Sequence, residues 1–335
     1  MIRVPSLAAA LILVMATWTG WATDAEATGP PPDGRAVPAD GGIGAGGLHT
    51  AFPGTPLSGD AAAAVERAKT GEPGAIRALL PFFATEDNEK LVRFVTTLGP
   101  GAVPPLITAL DDPDPRIVET AAGLLGELRA RPAVPKLTAF LQSGRPRRYV
   151  AAWALGEIKN PDSIPVLVGA LKDPNESVVK GATRALINIG RKSTPRIVAA
   201  LPSSAGRARK AMLRALEDIE DTKAEDAILS VLETEKDPVI QAAAARALSK
   251  CGTAKSYAPL EKWLLSGEVG VRVECAWSLG ILIAKPAEGA LRQTLEHPDP
   301  NVREWSARAL ENITGERVLY VDAKGKRTLP YNLYR

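Results

Sequence analysis

Ten side chains in this sequence have types and spacings suited to recognition: Tyr149, Trp153, Lys180, Arg184, Arg207, Lys210, Arg214, Arg246, Trp277 and Arg308. Tyr149 and Trp153, Lys180 and Arg184, and Lys210 and Arg214 stand four residues apart, the spacing that puts two side chains on one face of a helix. Cations so arranged offer charge-assisted hydrogen bonds to carboxylates, and tryptophan beside arginine is typical of binding hot spots. Residues for covalent or metal chemistry are scarce. The histidines are His49 and His297, the cysteines Cys251 and Cys275, and no G-x-S-x-G, H-E-x-x-H or P-loop occurs. That excludes a cysteine-rich zinc module and a disulfide scaffold, and no metal or cofactor is expected.

Such side chains need a scaffold, and the composition points to one. The 335 residues are 45% hydrophobic, 24% charged and only 5% aromatic, with alanine and leucine dominating after residue 60. Close-packed helices tolerate that bias, whereas a sandwich or barrel needs more aromatic and β-branched residues. The net charge of +3 says nothing about partners. Its distribution says more. From Gln142 to Ala215 lysine and arginine outnumber acids fourteen to four, and from Leu216 to Asp237 nine acids face two lysines.

Self-comparison gives the architecture. The segments AAGLLGEL (121–128), AAWALGEI (151–158), ATRALINI (182–189), MLRALEDI (212–219), AAARALSK (243–250), CAWSLGIL (275–282) and SARALENI (306–313) share one pattern, and FVTTL ending at Leu98 begins it. Taking Leu98, Leu125, Leu155, Leu186, Leu216, Leu248, Leu279 and Leu310 as anchors, the first interval is 27 and the others 30 to 32. A fixed period in that range signals stacked repeats. Within one unit, 102–110 reads as a short first helix, Asp111 to Pro115 as a turn, and 116–128 as a second helix. Ile117, Ala121, Leu124, Leu125 and Leu128 lie on one face of that second helix. No unit can bury that face alone, so its neighbours must cover it.

The pieces DPDPRIVETAAGLLGEL (112–128), HPDPNVREWSARAL (297–310) and AVPPLITAL (102–110) resemble HEAT repeats, particularly the short phycobilisome-lyase-type subclass. The resemblance covers about 72–315. It implies an all-α, right-handed superhelix of about eight repeats. Residues 60–71 would form an N-terminal capping helix, and 316–335 a C-terminal cap with VLYV and TLPY as a β-hairpin. It also implies that the second helices line the concave face, so the ten recognition residues would form a basic, tryptophan-flanked groove. The competing reading is that arginine before Ala-Leu is a solvated choice common in these repeats.

In that family an aspartate of the turn and an arginine early in the second helix form a ladder along the stack. Here the arginine position holds Val118, Arg148, Val179, Arg209, Gln241, Arg272 and Arg303, and the position six residues earlier keeps aspartate at Asp112 and Asp173. The resemblance therefore implies pairing between neighbouring repeats, Asp112 to Arg148 and Asp173 to Arg209. The alternative is helix caps and solvated arginines. Deoxyhypusine hydroxylases of this fold bind two irons through repeated His-Glu pairs, which this chain lacks. Phycobilin lyases share the repeat, but the repeat itself names no catalytic residue.

Two further expectations complete the reading. Cys251 and Cys275 are offset by seven residues in repeat coordinates, about 10 Å along parallel helices, too far for a disulfide, so free buried thiols are expected. Residues 1–22 read as an export signal, with Arg3, the apolar run Leu7 to Ala16 and a small-x-small site ending at Ala22; an uncleaved anchor is the alternative. Residues 23–59, rich in glycine and proline, read as a disordered linker. The expectation is an exported, periplasmic or secreted, non-catalytic scaffold holding an acidic segment of a protein partner, with no nucleic acid and with membrane contact only through an uncleaved leader. Self-association through 217–237, binding of an envelope carbohydrate or anionic polymer, and an accessory role resembling the phycobilin lyases remain as alternatives.

Overall fold

The computed structural model describes residues 56–330. The leader at 1–22, the linker up to residue 55 and the end of the C-terminal cap lie outside the described residues. The described chain forms two compact units that divide between Leu124 and Leu125. The first holds α1 (Gly59–Lys69), α2 (Ala75–Leu79), α3 (Asn88–Leu98), α4 (Val103–Ala109) and most of α5 (Pro115–Glu127). The second continues with α6 (Val134–Gln142), α7 (Tyr149–Ile158), α8 (Ile164–Ala170), α9 (Glu176–Ile189), α10 (Thr194–Ala200) and α11 (Gly206–Ile219). Then come α12 (Glu225–Thr234), α13 (Pro238–Cys251), α14 (Tyr257–Ser266), α15 (Val269–Ile281), α16 (Glu288–Thr294) and α17 (Pro300–Thr314). A two-stranded antiparallel ribbon follows, β1 (Tyr320–Val321) paired with β2 (Arg327–Thr328). The fold is an all-α repeat array with this small ribbon, as the periodicity predicts.

Local chemistry sets the helix starts. Asn175, Asp237 and Asp299 accept hydrogen bonds from the backbone N–H two residues on, and Pro238 and Pro300 occupy the first helical positions of α13 and α17. The second helices α7, α9, α11, α13, α15 and α17 then pack side by side in chain order. Their anchors Leu155, Leu186, Leu216, Leu248, Leu279 and Leu310 have no exposed surface, and neither does Leu125 of α5. Leu98 departs from the pattern. It is only half-buried, while Val95 and Leu91 of the same helix are fully buried. Val95 is therefore the anchor of α3, and its distance of 30 residues from Leu125 restores the period that Leu98 broke.

Small residues let the second helices approach closely. A Cβ placed on Gly156 would stand 2.7 Å from the Cα of Ala185, and one on Gly280 would stand 2.8 Å from the Cα of Ala309. On Gly126 it would meet the Trp153 ring at 2.8 Å and the Ala154 Cα at 3.0 Å. In each case the glycine follows an anchor leucine and the alanine precedes the next one. The repeated Leu-Gly is thus a spacing device. Cys251 and Cys275 are free and fully buried, and the Cys251 thiol donates to the Leu216 carbonyl at 3.1 Å. Burial pushes that thiol up to about 12, which keeps it protonated at neutral pH.

The joints between a second helix and the next first helix carry a different cost. Arg129, Lys159, Glu220 and Ile283 sit just past α5, α7, α11 and α15 with φ of 48°, 53°, 55° and 50°. That left-handed conformation costs a non-glycine residue about 1–2 kcal/mol, and more for a β-branched one. After α9 the chain places Gly190, at φ 76° and ψ −148°, a region essentially reserved for glycine.

The close approach is testable by contrast. Gly156→Ala forces backbone apart and should lower stability by about 1–3 kcal/mol in urea unfolding. Gly169→Ala, at a helical position with nothing within 4 Å of the added Cβ, should raise it by about 0.5–1 kcal/mol. Equal effects of the two substitutions would refute the spacing role.

Candidate functional site: the charged face of the second helices

Helical register puts the ten recognition residues on a common stripe of the second helices, and the structure determines what each does there. Lys180, Arg184, Arg207, Lys210, Arg214 and Arg246 are exposed, whereas Tyr149, Trp153, Trp277 and Arg308 are half-buried. Several cations already hold acids. Lys180 pairs with Glu176 at 2.8 Å, and Arg214 with Asp218 at 3.1 Å and Glu217 at 3.7 Å. Arg246 bridges Glu217 at 3.2 Å and Glu274 at 3.5 Å. Arg308 pairs with Glu304 at 2.6 Å and lies over the Trp305 ring at 4.5 Å. Arg207 reaches the Pro174 carbonyl at 3.4 Å. Arg184 and Lys210, on the adjacent helices α9 and α11, have no ion pair with any described residue.

This divides the stripe. The chain Arg214–Glu217–Arg246–Glu274 runs across α11, α13 and α15 as a nearly neutral band. Burial raises the Glu274 carboxyl above its ordinary value against the pull of Arg246. Beyond that band Trp277 meets Trp305 edge to face, centroids 5.2 Å apart. Trp153, by contrast, lies on the Gly126 side, so the two tryptophans belong to separate clusters. Trp305 and Glu274 were not singled out from the sequence, and Glu217 only as part of the acidic stretch 217–237. Trp305 and Glu274 both stand five residues before their anchors, one helical position beside the stripe, which is the signal that would have found them. At the other edge, burial and the neighbouring Glu157 carboxylate raise Glu127, while Glu157 accepts from the Asn188 amide at 3.0 Å.

The acidic stretch 217–237 is engaged within the chain. Glu220 pairs with Lys250 at 3.0 Å, Glu233 with Lys262 at 2.5 Å, and Asp226 with Lys255. Asp221 and Asp237 cap helical turns. Glu225 is buried and accepts from the Thr253 N–H at 2.7 Å and from the Ser256 hydroxyl at 2.7 Å, fastening one turn to the next. In the basic stretch, by contrast, Arg184 and Lys210 pair with no described residue.

The charge ladder exists with a different register from the expected one. Arg148 makes a two-pronged contact with Asp173, and Arg209 pairs with Glu235, while Asp112 takes Arg77 at 2.6 Å. The expected partnership of Asp173 with Arg209 is thereby replaced, and that of Asp112 with Arg148 gives way to Arg77 and Asp173. Arg148 and Arg209 reach forward 25 and 26 residues, because the turn of the following repeat lies beside the start of their helices, and Arg77 reaches 35 residues on. Glu235 was missed because only aspartate was sought at its position. Where the next turn offers no carboxylate, the arginine folds back: Arg272 donates to the Gly267 and Leu264 carbonyls, and Arg303 to those of His297 and Pro298.

Among the described residues no group of acids, histidines and cysteines could hold a metal ion. With its repeats and charged face, the chain belongs to the helical-repeat class. Residues 145–204 and 194–280 match HEAT repeats, and 96–130 match an armadillo/beta-catenin-like repeat. The matched stretches are thus HEAT-like and armadillo-like repeats, and the chain is similar in part to a protein of bilin biosynthesis. Bilin biosynthesis protein RpcF of Synechococcus sp. (strain WH8020) is 29% identical over 96 residues, which are 29% of this chain and 46% of RpcF. The chain thus spans less than half the length of that curated relative. Among solved structures, the complex of CpcE and CpcF of phycocyanin lyase from Nostoc sp. PCC7120 is 24% identical, covers 63% of this chain and 88% of that one, and has a TM-score of 0.34. Human deoxyhypusine hydroxylase in complex with glycerol is 22% identical, covers 76% and 98%, and has a TM-score of 0.33.

The forward ladder predicts coupling. In a double-mutant cycle, Arg148→Ala and Asp173→Ala should show about 0.5–3 kcal/mol of interaction energy, and Asp173→Ala with Arg209→Ala none. The Arg148 hydrogen bonds hold the Asp173 carboxyl below its usual value, against the effect of burial. A carboxyl depressed by folding adds stability that is complete above its unfolded pKa, about 3.9, and is lost as pH falls through the folded value. The stability gap between wild type and Asp173→Asn should therefore be full at neutral pH and close under acid. A gap unchanged with pH would remove the ion pair from the account.

Proposed function

We propose that this chain is an exported, non-catalytic HEAT-repeat scaffold that holds an acidic segment of a partner protein against the second helices α7, α9 and α11. The observation that carries the reading is the unpaired state of Arg184 and Lys210 on adjacent helices, in a stretch where cations greatly outnumber acids. Lys180, Arg207 and Arg214 stand beside them, and the exposed pairs of Lys180 and Arg214, worth about 0–1 kcal/mol each, can be exchanged for a partner's carboxylates. Tyr149 and Trp153 supply apolar contact at one end. Trp277 is not part of this segment, because the neutral band through Arg246 intervenes. Self-association through 217–237 is the weaker alternative, since those carboxylates have partners within their own chain. Export rests on the composition of residues 1–22.

A second reading draws on the match to a bilin biosynthesis protein: an accessory subunit that works beside a bilin-handling partner. Purification with a visible-absorbing pigment would favour it over a simple scaffold.

Fluorescence anisotropy with a labelled oligo-glutamate peptide tests the first reading. Wild type should bind, and more weakly as salt screens the face. Arg184→Glu with Lys210→Glu should weaken binding at least about tenfold at unchanged helicity. Binding by the double variant equal to that of wild type moves the site elsewhere.

A further inference from the structure

The joints that follow the second helices form a continuous edge of the second unit. Asn188 reaches Glu157, Arg191 reaches the Glu220 carbonyl at 3.4 Å, Lys255 pairs with Asp226, and the Tyr257 hydroxyl donates to the Leu282 carbonyl at 3.2 Å. Each contact ties one joint to the next, so residues at equivalent positions stand side by side, about 10 Å apart.

Two independent features mark this edge. The first is strain. At Arg129, Lys159, Glu220 and Ile283 the chain keeps a non-glycine residue in the left-handed region, and all four side chains are exposed. Glycine, which the chain uses after α9, would be unstrained there. Strain retained at one recurring place points to a use for the side chains. The second feature is charge. Arg129, Arg131, Lys159, Lys192, Lys223 and Lys285 are exposed on these joints without an ion pair to any described residue. Of the carboxylates at these joints, Glu220 pairs with Lys250, Asp226 with Lys255 and Glu288 with Arg292, while Asp221 and Glu225 are buried, which leaves Asp162.

We propose that this edge docks on the surface of an anionic lipid bilayer. A row of cations alone would suit any polyanion. The apolar side chains decide between occupants: Ile283 is 54% exposed and Ile281 39%, both at the end of α15 beside Lys285. A soluble polyanion gains nothing from a projecting isoleucine, whereas a bilayer accepts apolar side chains below its headgroups while its anionic lipids attract the lysines and arginines. Among the described residues no helix is long and apolar enough to cross a membrane, so the contact is peripheral. The edge is separate from the second-helix face that carries Arg184 and Lys210.

Co-sedimentation of the full chain with vesicles tests this. Phosphatidylcholine vesicles with about 30% phosphatidylglycerol should bind the chain far better than phosphatidylcholine alone, and the excess should vanish in about 0.5 M salt. The triple variant Arg129→Gly, Lys159→Gly and Lys192→Gln should lose the excess by on the order of a hundredfold. Its two glycines relieve strain, so its unfolding temperature should not fall. Ile283→Gly should raise the unfolding temperature and still weaken vesicle binding several-fold. Arg184→Glu with Lys210→Glu should bind these vesicles nearly as wild type does. Equal binding to both vesicle types by wild type overturns the proposal, as does loss of binding in the Arg184/Lys210 variant but not in the triple variant. Competition by soluble polyphosphate with no effect of Ile283→Gly overturns it in favour of a polyanion.

Discussion

The backbone contact between successive second helices is the constraint on which the remaining structure depends. With glycine after one anchor leucine and alanine before the next, the helices of Gly156 and Ala185 meet with no room for a single methyl group. Protein interiors tolerate little change of volume, so this contact sets the distance between helices rather than merely filling it. Once the distance is set, every side chain at a given register position recurs at a nearly constant step. The charged stripe, the forward ladder and the joints are three readings of that one step, taken at different positions along the helix.

Much of this was legible in the sequence because the repeat makes its own comparison. The leucine spacing gave the helix pairs, the turn prolines and aspartates gave their starts, and the cysteine offset gave free thiols. The failure at Leu98 has a simple cause: both Leu98 and Val95 suit a core position, and only packing distinguishes them. The ladder failed differently. Sequence gives an arginine's position in its own repeat but not the direction in which it reaches. Arg148 could look back to Asp112 or forward to Asp173, and the lateral order of helices and turns chooses forward.

The charged face illustrates the same limit. A count of lysines and arginines along a stripe treats Arg184 and Arg214 alike, yet Arg214 pairs with two acids and Arg184 with none among the described residues. Those acids come from Arg214's own helix, three and four residues on, and Arg246 draws on two neighbouring helices. Net charge by segment is therefore a poor guide to available charge. The strained joints were invisible for another reason, since left-handed backbone is expected at glycine and asparagine, not at arginine, lysine or isoleucine.

The C-terminal ribbon has a consequence for how copies of this chain could add to one another. Arg303 occupies the ladder position of the last repeat, where a following repeat would present its turn. Instead the Val321 and Asp322 carbonyls accept from its guanidinium, the former at 2.6 Å, and Tyr320 lies buried. The ribbon imitates the hydrogen-bonding of one more repeat without its apolar helix. A turn of a second copy would have to displace this ribbon before it could meet Arg303, so repeat-on-repeat addition beside α17 competes with a contact made within the chain.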